Sequence, residues 1–222
     1  MKRALDFPAG SVTHLAAANR AAGELAAVAV LERAGLDLGL VALPAAVEDS
    51  LYRYNNLPPR LAGLFRDIDP LDPDEDVLEE AEPEAQALVD QAYLLDEVID
   101  AIYDSLRGLP HDLLVRRADS PGGLPADNGR AVLLALKRLV RQDWAVDSVA
   151  ERLTLTAGIG VEARPVLVHA RAASIDVTVS AEASRLLGRS VAVEVDDTGG
   201  VVRVQDVLSR CATAAAPMTP AS

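Results

Sequence analysis

The stretch VAVEVDDTGGVVRV, residues 191–204, gives the strongest indication of β-structure in the chain. β-Branched residues alternate with others before a turn that holds two adjacent glycines, and they dominate after it, a pattern that predicts a β-hairpin. Upstream, RPVLVHAR (164–171) and SIDVTVS (174–180) have the same strand-type pattern. AEASRLLG (181–188) predicts a short helix, and QDVLSRC (205–211) a last one. We therefore expect the last third of the chain to form a small mixed or antiparallel sheet with one or two short helices.

The first two-thirds of the chain has the periodicity of helices instead. Apolar residues recur three and four positions apart over residues 11–35, 44–54 and 130–142, and a shorter helix is expected over 143–153. A mostly helical front followed by a β-rich rear predicts an α+β fold. The expected parts are a helical region over 1–153, a small α+β region over 154–212, and a disordered tail over 213–222.

The stretch LYRYNNLPPRL, residues 51–61, holds two of the four tyrosines, a doubled asparagine and a doubled proline. An aromatic pair bracketed by prolines raises the question of a binding motif. On a helix, however, Tyr52 and Tyr54 point about 200° apart and cannot form one stacking surface. An asparagine can take the left-handed conformation that closes a helix, and prolines suit the start of the next one. The stretch therefore predicts the end of one helix and the start of another.

An acidic segment follows, DIDPLDPDEDVLEEAEPE (67–84), and its three prolines predict a linker. It leads into QALVDQAYLLDEVIDAIYDSLRG (86–108), where apolar residues spaced four and three apart predict a single helix. The outer face of this helix carries acidic side chains and no lysine. The residues expected to contact a partner there are Asp90, Asp96, Glu97, Asp100 and Asp104.

Charge is unevenly distributed along the chain. The net charge is −13, and residues 67–112 carry a net −15, whereas residues 1–66 and 113–222 each carry +1. A protein that binds phosphate backbones needs a cationic surface, so nucleic acid is disfavoured as a partner. We expect the acidic stretch to recognise a basic protein surface or to mediate self-association.

Composition also restricts the compartment. A single cysteine, Cys211, excludes a disulfide within the chain and suits a reducing environment. The start, MKRALDFPAG, lacks the apolar run of a secretory signal, and the longest apolar run, residues 25–31, is too short to span a bilayer. We expect a cytoplasmic protein that does not enter the membrane.

The connection GLPHDLLVRRADSPGGLPADNG, residues 108–129, is the candidate ligand site. A long connection inside a compact domain tends to be functional or mobile, and a short strand is expected at LLVRR. Two adjacent arginines can grip an anion through paired hydrogen bonds. The residues expected to bind a ligand are His111, Arg116, Arg117 and Asp127. The alternative is a polar surface loop in which these side chains are solvated.

Familiar catalytic and metal-binding spacings are absent from the sequence. It contains no HExxH or CxxC pattern, no GxSxG elbow and no phosphate-binding loop. Asp72, Asp74 and Asp76 match the first three ligand positions of an EF-hand loop. Val77, however, stands where the turn glycine belongs, and Pro83 stands where the bidentate glutamate belongs. We therefore expect no catalytic residue, no metal and no cofactor.

Residues 175–204, IDVTVSAEASRLLGRSVAVEVDDTGGVVRV, resemble AbrB-like swapped-hairpin proteins, many of which are antitoxins or transition-state regulators. The resemblance lies in the order strand, short helix, strand and hairpin, and it covers about 30 of the 222 residues. It implies a DNA-linked regulator. The stretch lacks the Pro-Gly-Asp loop after Leu-Gly and the basic residues that would face DNA, so no DNA-contacting residue is carried over.

Three functional hypotheses follow. The first is a non-catalytic protein-interaction module, such as an adaptor, assembly factor, inhibitor or regulatory subunit, that uses the acidic helix face. The second is an enzyme of unrecognised family that acts on an anionic small molecule through the 108–129 connection. The third is a DNA-linked regulator that acts through the AbrB-like C-terminal region. The lack of catalytic constellations favours the first.

Overall fold

The computed structural model describes residues 23–207 with the exception of 71, 119, 157 and 161. Within this part of the chain, eight helices and two antiparallel sheets form an α+β fold, which confirms the predicted class. The helices lie mostly in the first part and the strands mostly in the last. The predicted start of the first helix, most of the predicted last helix and the predicted tail lie outside the described residues.

The helices and strands have the following bounds. The helices are α1 (Gly23–Arg33), α2 (Ala45–Tyr54), α3 (Leu57–Leu64), α4 (Glu75–Gln91), α5 (Asp96–Ser105), α6 (Gly129–Gln142), α7 (Val146–Thr156) and α8 (Val177–Leu187). The strands are β1 (Leu40–Leu43), β2 (Leu113–Arg117), β3 (Leu124–Ala126), β4 (Val166–Ala170), β5 (Ser174–Ile175), β6 (Val191–Val195) and β7 (Val201–Asp206).

A four-stranded sheet in the order β1-β4-β2-β3 lies at the centre of the molecule. The inner strand β4 is buried along its whole length and pairs with both β1 and β2, so that His169 lies opposite Leu40 on one side and Leu114 on the other. Successive side chains of a strand point to opposite faces, so Val168 and Leu167 enter different cores.

The two faces of this sheet are covered by different elements. The first core lies between one face and helices α2 to α7. The second core lies on the opposite face and is closed by α1, α8 and the three-stranded sheet β5-β6-β7. The division expected near residue 153 does not separate two sheets, because β4 follows it and pairs with strands that precede it. Ile159, in the junction after α7, packs against the first core.

The second sheet is joined to the rest of the fold through the hairpin glycines. The predicted β6–β7 hairpin is present, and Asp196 closes its turn by accepting hydrogen bonds from the N–H groups of Thr198 and Gly200, each at 2.9 Å. Gly200 lies against the backbone of Gly39, where a Cβ atom at either position would clash with its neighbours. The N–H of Val201 donates to the carbonyl oxygen of Asp37 at 2.9 Å. The turn glycines thus permit both the turn and this close approach.

The predicted acidic linker over 67–84 is wrong for its second half, because α4 begins at Glu75. The carboxylate of Asp74 accepts a hydrogen bond from the N–H of Asp76 at 3.0 Å and caps the helix, and acidic residues in the first turn favour it further. Pro83 is exposed inside the helix, where it removes one backbone hydrogen bond. Burial of Leu78 and Ala85 on either side of it holds the helix together.

The predicted single helix over 86–108 is also wrong, because α4 ends at Gln91 and α5 starts at Asp96. Ala92 and Leu95 have extended backbones with ψ of 149° and 148°. Asn55 stabilises the break, since its amide nitrogen donates to the carbonyl oxygen of Tyr93 at 2.8 Å and its amide oxygen accepts from the N–H of Tyr93 at 3.1 Å. These tertiary hydrogen bonds replace the helical ones.

The strand expected over 174–180 is shorter than predicted, because only Ser174 and Ile175 pair with β6. The carboxylate of Asp176 accepts a hydrogen bond from the N–H of Val179 at 2.8 Å and starts α8 earlier than the sequence pattern suggests. The helix boundary expected within 51–61 is confirmed: α2 ends at Tyr54, Asn56 is left-handed with φ of 50°, and α3 begins at Leu57.

Candidate functional site

The two adjacent arginines of the candidate ligand site lie in β2, and their side chains enter opposite faces of the central sheet. The side chain of Arg116 is fully buried on the face of the second core, and Arg117 is only 9% exposed on the other face. The strand expected at LLVRR is confirmed, but the rest of the 108–129 connection adds β3 and a hairpin rather than an irregular loop.

Arg116 forms a buried ion pair with Glu24 of α1. Its Nη1 donates to Oε2 of Glu24 and its Nη2 to Oε1, both at 2.6 Å. Oε1 of Glu24 also accepts from the N–H of Val204 in β7 at 3.1 Å. Nε of Arg116 donates to Nε2 of His169 in β4 at 2.9 Å. This cluster, the Arg116 cluster, joins α1, both sheets and the second core.

The protonation of His169 follows from these contacts. Because Nε2 accepts from Arg116, the ring proton is on Nδ1, which donates to the carbonyl oxygen of Ala170 at 2.7 Å. Burial lowers the pKa of His169 to about 4, the hydrogen bond to Ala170 opposes the decrease, and the positive charge of Arg116 adds to it. At neutral pH the ring is therefore neutral and both nitrogens have partners.

Arg117 belongs to a second buried cluster on the opposite face, the Arg117 cluster. Its Nη1 donates to Oε2 of Glu48 in α2, and its Nη2 donates to Oδ2 of Asp143 at 2.7 Å. Oδ1 of Asp143 accepts from Arg164, whose own N–H donates to Glu48 at 3.2 Å. Burial acts to lower the pKa of Arg117, but the hydrogen bond and charge of Glu48 and the charge of Asp143 raise it overall. The Arg117 cluster thus contains two cations, Arg117 and Arg164, and two anions, Glu48 and Asp143, so these charges cancel.

The other two residues of the candidate ligand site lie elsewhere. His111 and Asp127 are exposed just beyond the pair Leu113–Ala126, which ends the β2–β3 hairpin. Arg117 is at the opposite end of β2, about 13 Å along the strand at 3.3 Å per residue. The structure therefore does not bring the four residues together, and both arginines are paired with carboxylates inside the protein.

The acidic residues expected to contact a partner are all exposed, but they lie on two helices. Asp90 is near the end of α4, where it pairs with Arg141 at 3.5 Å, and its carbonyl oxygen accepts from Nζ of Lys137 at 2.7 Å. The remainder lie on α5, where Asp104 pairs with Arg107 at 2.8 Å. Further exposed carboxylates line the part of α4 that was expected to be a linker: Glu75, Asp76, Glu79, Glu80 and Glu84.

An open groove of about 700 Å³ runs between α4 and the start of α7. We refer to it as the acidic groove, because Arg141 is the only cation among the residues that line it and pairs with Asp90. Glu82 accepts from Nε2 of Gln86 at 2.6 Å and from the N–H of Val146 at 3.0 Å, and thereby holds the two walls together. The lining carboxylates are Glu75, Glu79, Glu82, Asp90 and Asp147.

The sequence pattern does not predict the acidic groove, because the prolines of residues 67–84, Pro83 among them, favour a linker. A usable signal was present: Asp74 precedes apolar residues at 78, 81, 85 and 88, which is helical spacing after a good cap.

The only tryptophan is the centre of a second feature that the sequence did not indicate. Nε1 of Trp144 donates to the hydroxyl oxygen of Tyr52 at 3.0 Å. Its ring stacks on Phe65 with centroids 5.8 Å apart, and the guanidinium of Arg152 lies 5.1 Å from the ring centroid. Tyr52 and Trp144 line a cavity of about 390 Å³ beside α2 and α3. Tyr52 and Trp144 are 92 positions apart, and no local pattern links them.

Residues 23–207, as far as they are described, contain no group of three or more His, Cys, Asp or Glu side chains arranged to hold a metal. In the same part of the chain, every helix is too short or too polar to cross a membrane. Comparison with models of protein families and with curated proteins finds no match to this chain.

Proposed function

We propose that this chain is a non-catalytic protein-interaction module, such as an adaptor, assembly factor, inhibitor or regulatory subunit, that recognises a basic partner through the acidic groove and the outer faces of α4 and α5. The observation that carries the proposal is the acidic groove itself, with five lining carboxylates and one cation that is already paired. Opposite charges across an interface speed association and select partners.

The walls of the acidic groove suit a peptide or helix of a protein partner. α4 packs against α6 and α7, so the groove has a supported floor. Both walls are helical, and a volume of about 700 Å³ accommodates several long basic side chains. Lysine and arginine stems can cover apolar surface while their charged ends meet carboxylates at the rim.

The other two hypotheses have less support. An enzyme acting on an anion through the 108–129 connection would need accessible cations, and both arginines are in buried ion pairs. A DNA-linked regulator would need basic residues on the C-terminal sheet. There, Arg185 pairs with Glu182, Arg189 pairs with Asp206, and Arg203 is buried and donates to the carbonyl oxygen of Ser120.

The proposal is tested with a fluorescein-labelled lysine-rich peptide and a glutamate-rich peptide of equal length. We expect the full-length protein to raise the fluorescence anisotropy of the lysine peptide alone. Affinity should fall roughly tenfold between about 50 and 500 mM salt, because rim charges are screened.

A matched pair of variants locates the surface. The variant Glu75→Gln/Glu79→Gln/Asp147→Asn removes three charges from the acidic groove, and Glu162→Gln/Glu182→Gln/Asp197→Asn removes three exposed charges elsewhere. We expect the first to weaken binding at least about fivefold more than the second. Equal losses, or no binding of the lysine peptide at low salt, would overturn the proposal.

A further inference from the structure

The cavity beside Trp144, the aromatic cavity, has the size and lining of a small-molecule site. Its volume of about 390 Å³ lies within the range of roughly 300 to 1,000 Å³ that is usual for ligand pockets. The walls are formed by α2, α3, Trp144 and the segment after α7. The apolar part of the lining consists of Pro58, Ala62, Trp144, Ile159, Ala163 and the ring of Tyr52.

One polar group in this lining is available to a ligand. The hydroxyl oxygen of Tyr52 accepts a hydrogen bond from Trp144, but its own proton has no acceptor among the described residues. Tyr52 is 6% exposed, and burial raises its pKa well above the usual range, so the hydroxyl group stays a donor at physiological pH. A buried donor that lines a cavity provides a position for a hydrogen-bond acceptor.

The charges at the mouth of the aromatic cavity disfavour ions. Asp49 and Arg53 pair with each other at 2.8 Å across one helical turn of α2, so neither is an uncompensated charge. The guanidinium of Arg152 lies over Trp144 and donates to the backbone of Asp143, and its Nε and Nη2 have no partner among the described residues, but Arg152 is not one of the residues that line the cavity. An anionic ligand would therefore lose its hydration without gaining an unpaired cation from the residues that line the cavity.

We infer that the aromatic cavity binds a neutral small molecule that has one apolar ring and one hydrogen-bond acceptor. The ring packs against Trp144 and the apolar wall, and the acceptor faces the hydroxyl group of Tyr52. This site is separate from the acidic groove, so the inference does not depend on the proposed interaction function.

Benzamide is the first probe, because it combines a neutral ring with a carbonyl acceptor. The protein has a single tryptophan, so its tryptophan fluorescence reports on the wall of the aromatic cavity. We expect saturable quenching or shift of this fluorescence with a Kd on the order of millimolar, as is usual for a fragment of this size, and saturation transfer to benzamide by NMR. Benzoate, which is charged, should bind at least about tenfold more weakly.

Two variants localise the ligand. Ala62→Leu fills the aromatic cavity from an exposed helical position, and Ala181→Leu makes the same change on α8. We expect Ala62→Leu to weaken benzamide binding at least about tenfold and Ala181→Leu to leave it unchanged. Both positions are exposed on helices, so both variants should fold.

A third variant tests the hydrogen bond. Tyr52→Phe removes the hydroxyl group, so it should weaken benzamide about 3- to 10-fold while toluene, which lacks an acceptor, keeps its affinity. The inference is overturned by no saturable binding of benzamide, by binding that Ala62→Leu does not affect, or by benzoate binding as tightly as benzamide. Unchanged benzamide affinity in Tyr52→Phe would overturn the assignment of the acceptor.

Discussion

At the scale of single residues, the arginine pair of β2 shows how two neighbours in sequence come to contact different parts of the fold. Strand geometry directs Arg116 to Glu24 and Arg117 to Glu48 and Asp143, on opposite faces of one sheet. Each arginine attaches helical elements to the sheet through charge-assisted hydrogen bonds. Loss of one partner would leave an uncompensated buried charge, which typically destabilises a protein by about 3–5 kcal/mol. The two arginines therefore hold the central sheet to the elements that cover its two faces.

His169 predicts a pH dependence of stability at this scale. Its pKa is about 4 in the folded protein, below the ordinary histidine value of 6.5, so the unfolded chain binds an additional proton between these values. The contribution of His169 to the free energy of unfolding is thus greatest above pH 6.5 and falls as pH falls toward 4, by about 3 kcal/mol at most. Arg116, Glu24 and Arg203 are the charged groups that act on the ring.

Urea unfolding between pH 4 and pH 7 measures this effect. We expect His169→Gln, whose amide oxygen can still accept from Arg116, to lose stability less steeply than the parent protein as pH falls. His111→Gln changes an exposed histidine and should retain the parent slope. Parallel curves for the parent and His169→Gln would contradict the prediction.

At the scale of elements, α4 and α5 show where local patterns mislead. Three prolines made residues 67–84 resemble a linker, yet capping by Asp74 and burial of Leu78 and Ala85 make the second half helical. Conversely, a continuous apolar stripe predicted one helix, yet the two hydrogen bonds between Asn55 and Tyr93 separate α4 from α5. In both cases tertiary contacts outweigh the local preference.

Pro83 offers a test at this scale. Pro83→Ala restores an N–H that can donate within α4 and removes a steric conflict, so the free energy of unfolding should rise by about 1–3 kcal/mol. Glu84→Ala, at the adjacent exposed position, should change it by less than about 0.5 kcal/mol. Chemical denaturation of the two variants and the parent provides the comparison. A loss of stability in Pro83→Ala would contradict this prediction.

At the scale of the whole molecule, the central sheet makes the two cores interdependent. β4 contributes Val168 to the first core and Leu167 to the second, and the Arg116 cluster links α1 to both sheets. Unfolding of the central sheet would therefore expose both cores to solvent.

We therefore expect one cooperative unfolding transition. Fluorescence of Trp144 reports on the first core, whereas circular dichroism reports on all helices and strands. The two transitions in urea should coincide within error, as they do for two-state domains. Two separate midpoints would show that residues 1–153 and the remainder unfold independently.

Four features could be predicted from the sequence alone: the α+β class, the β6–β7 hairpin, the helix boundary within residues 51–61 and the concentration of acidic residues over 67–112. These features depend on contacts or conformational preferences within a few residues, and such local features can be recognised from the sequence pattern. Three others became visible in the folded chain: the partners of the β2 arginines, the walls of the acidic groove, and the cavity that Tyr52 and Trp144 both line. Those features join residues 26 to 92 positions apart, because the order of strands and the packing of helices, rather than any local pattern, bring them together.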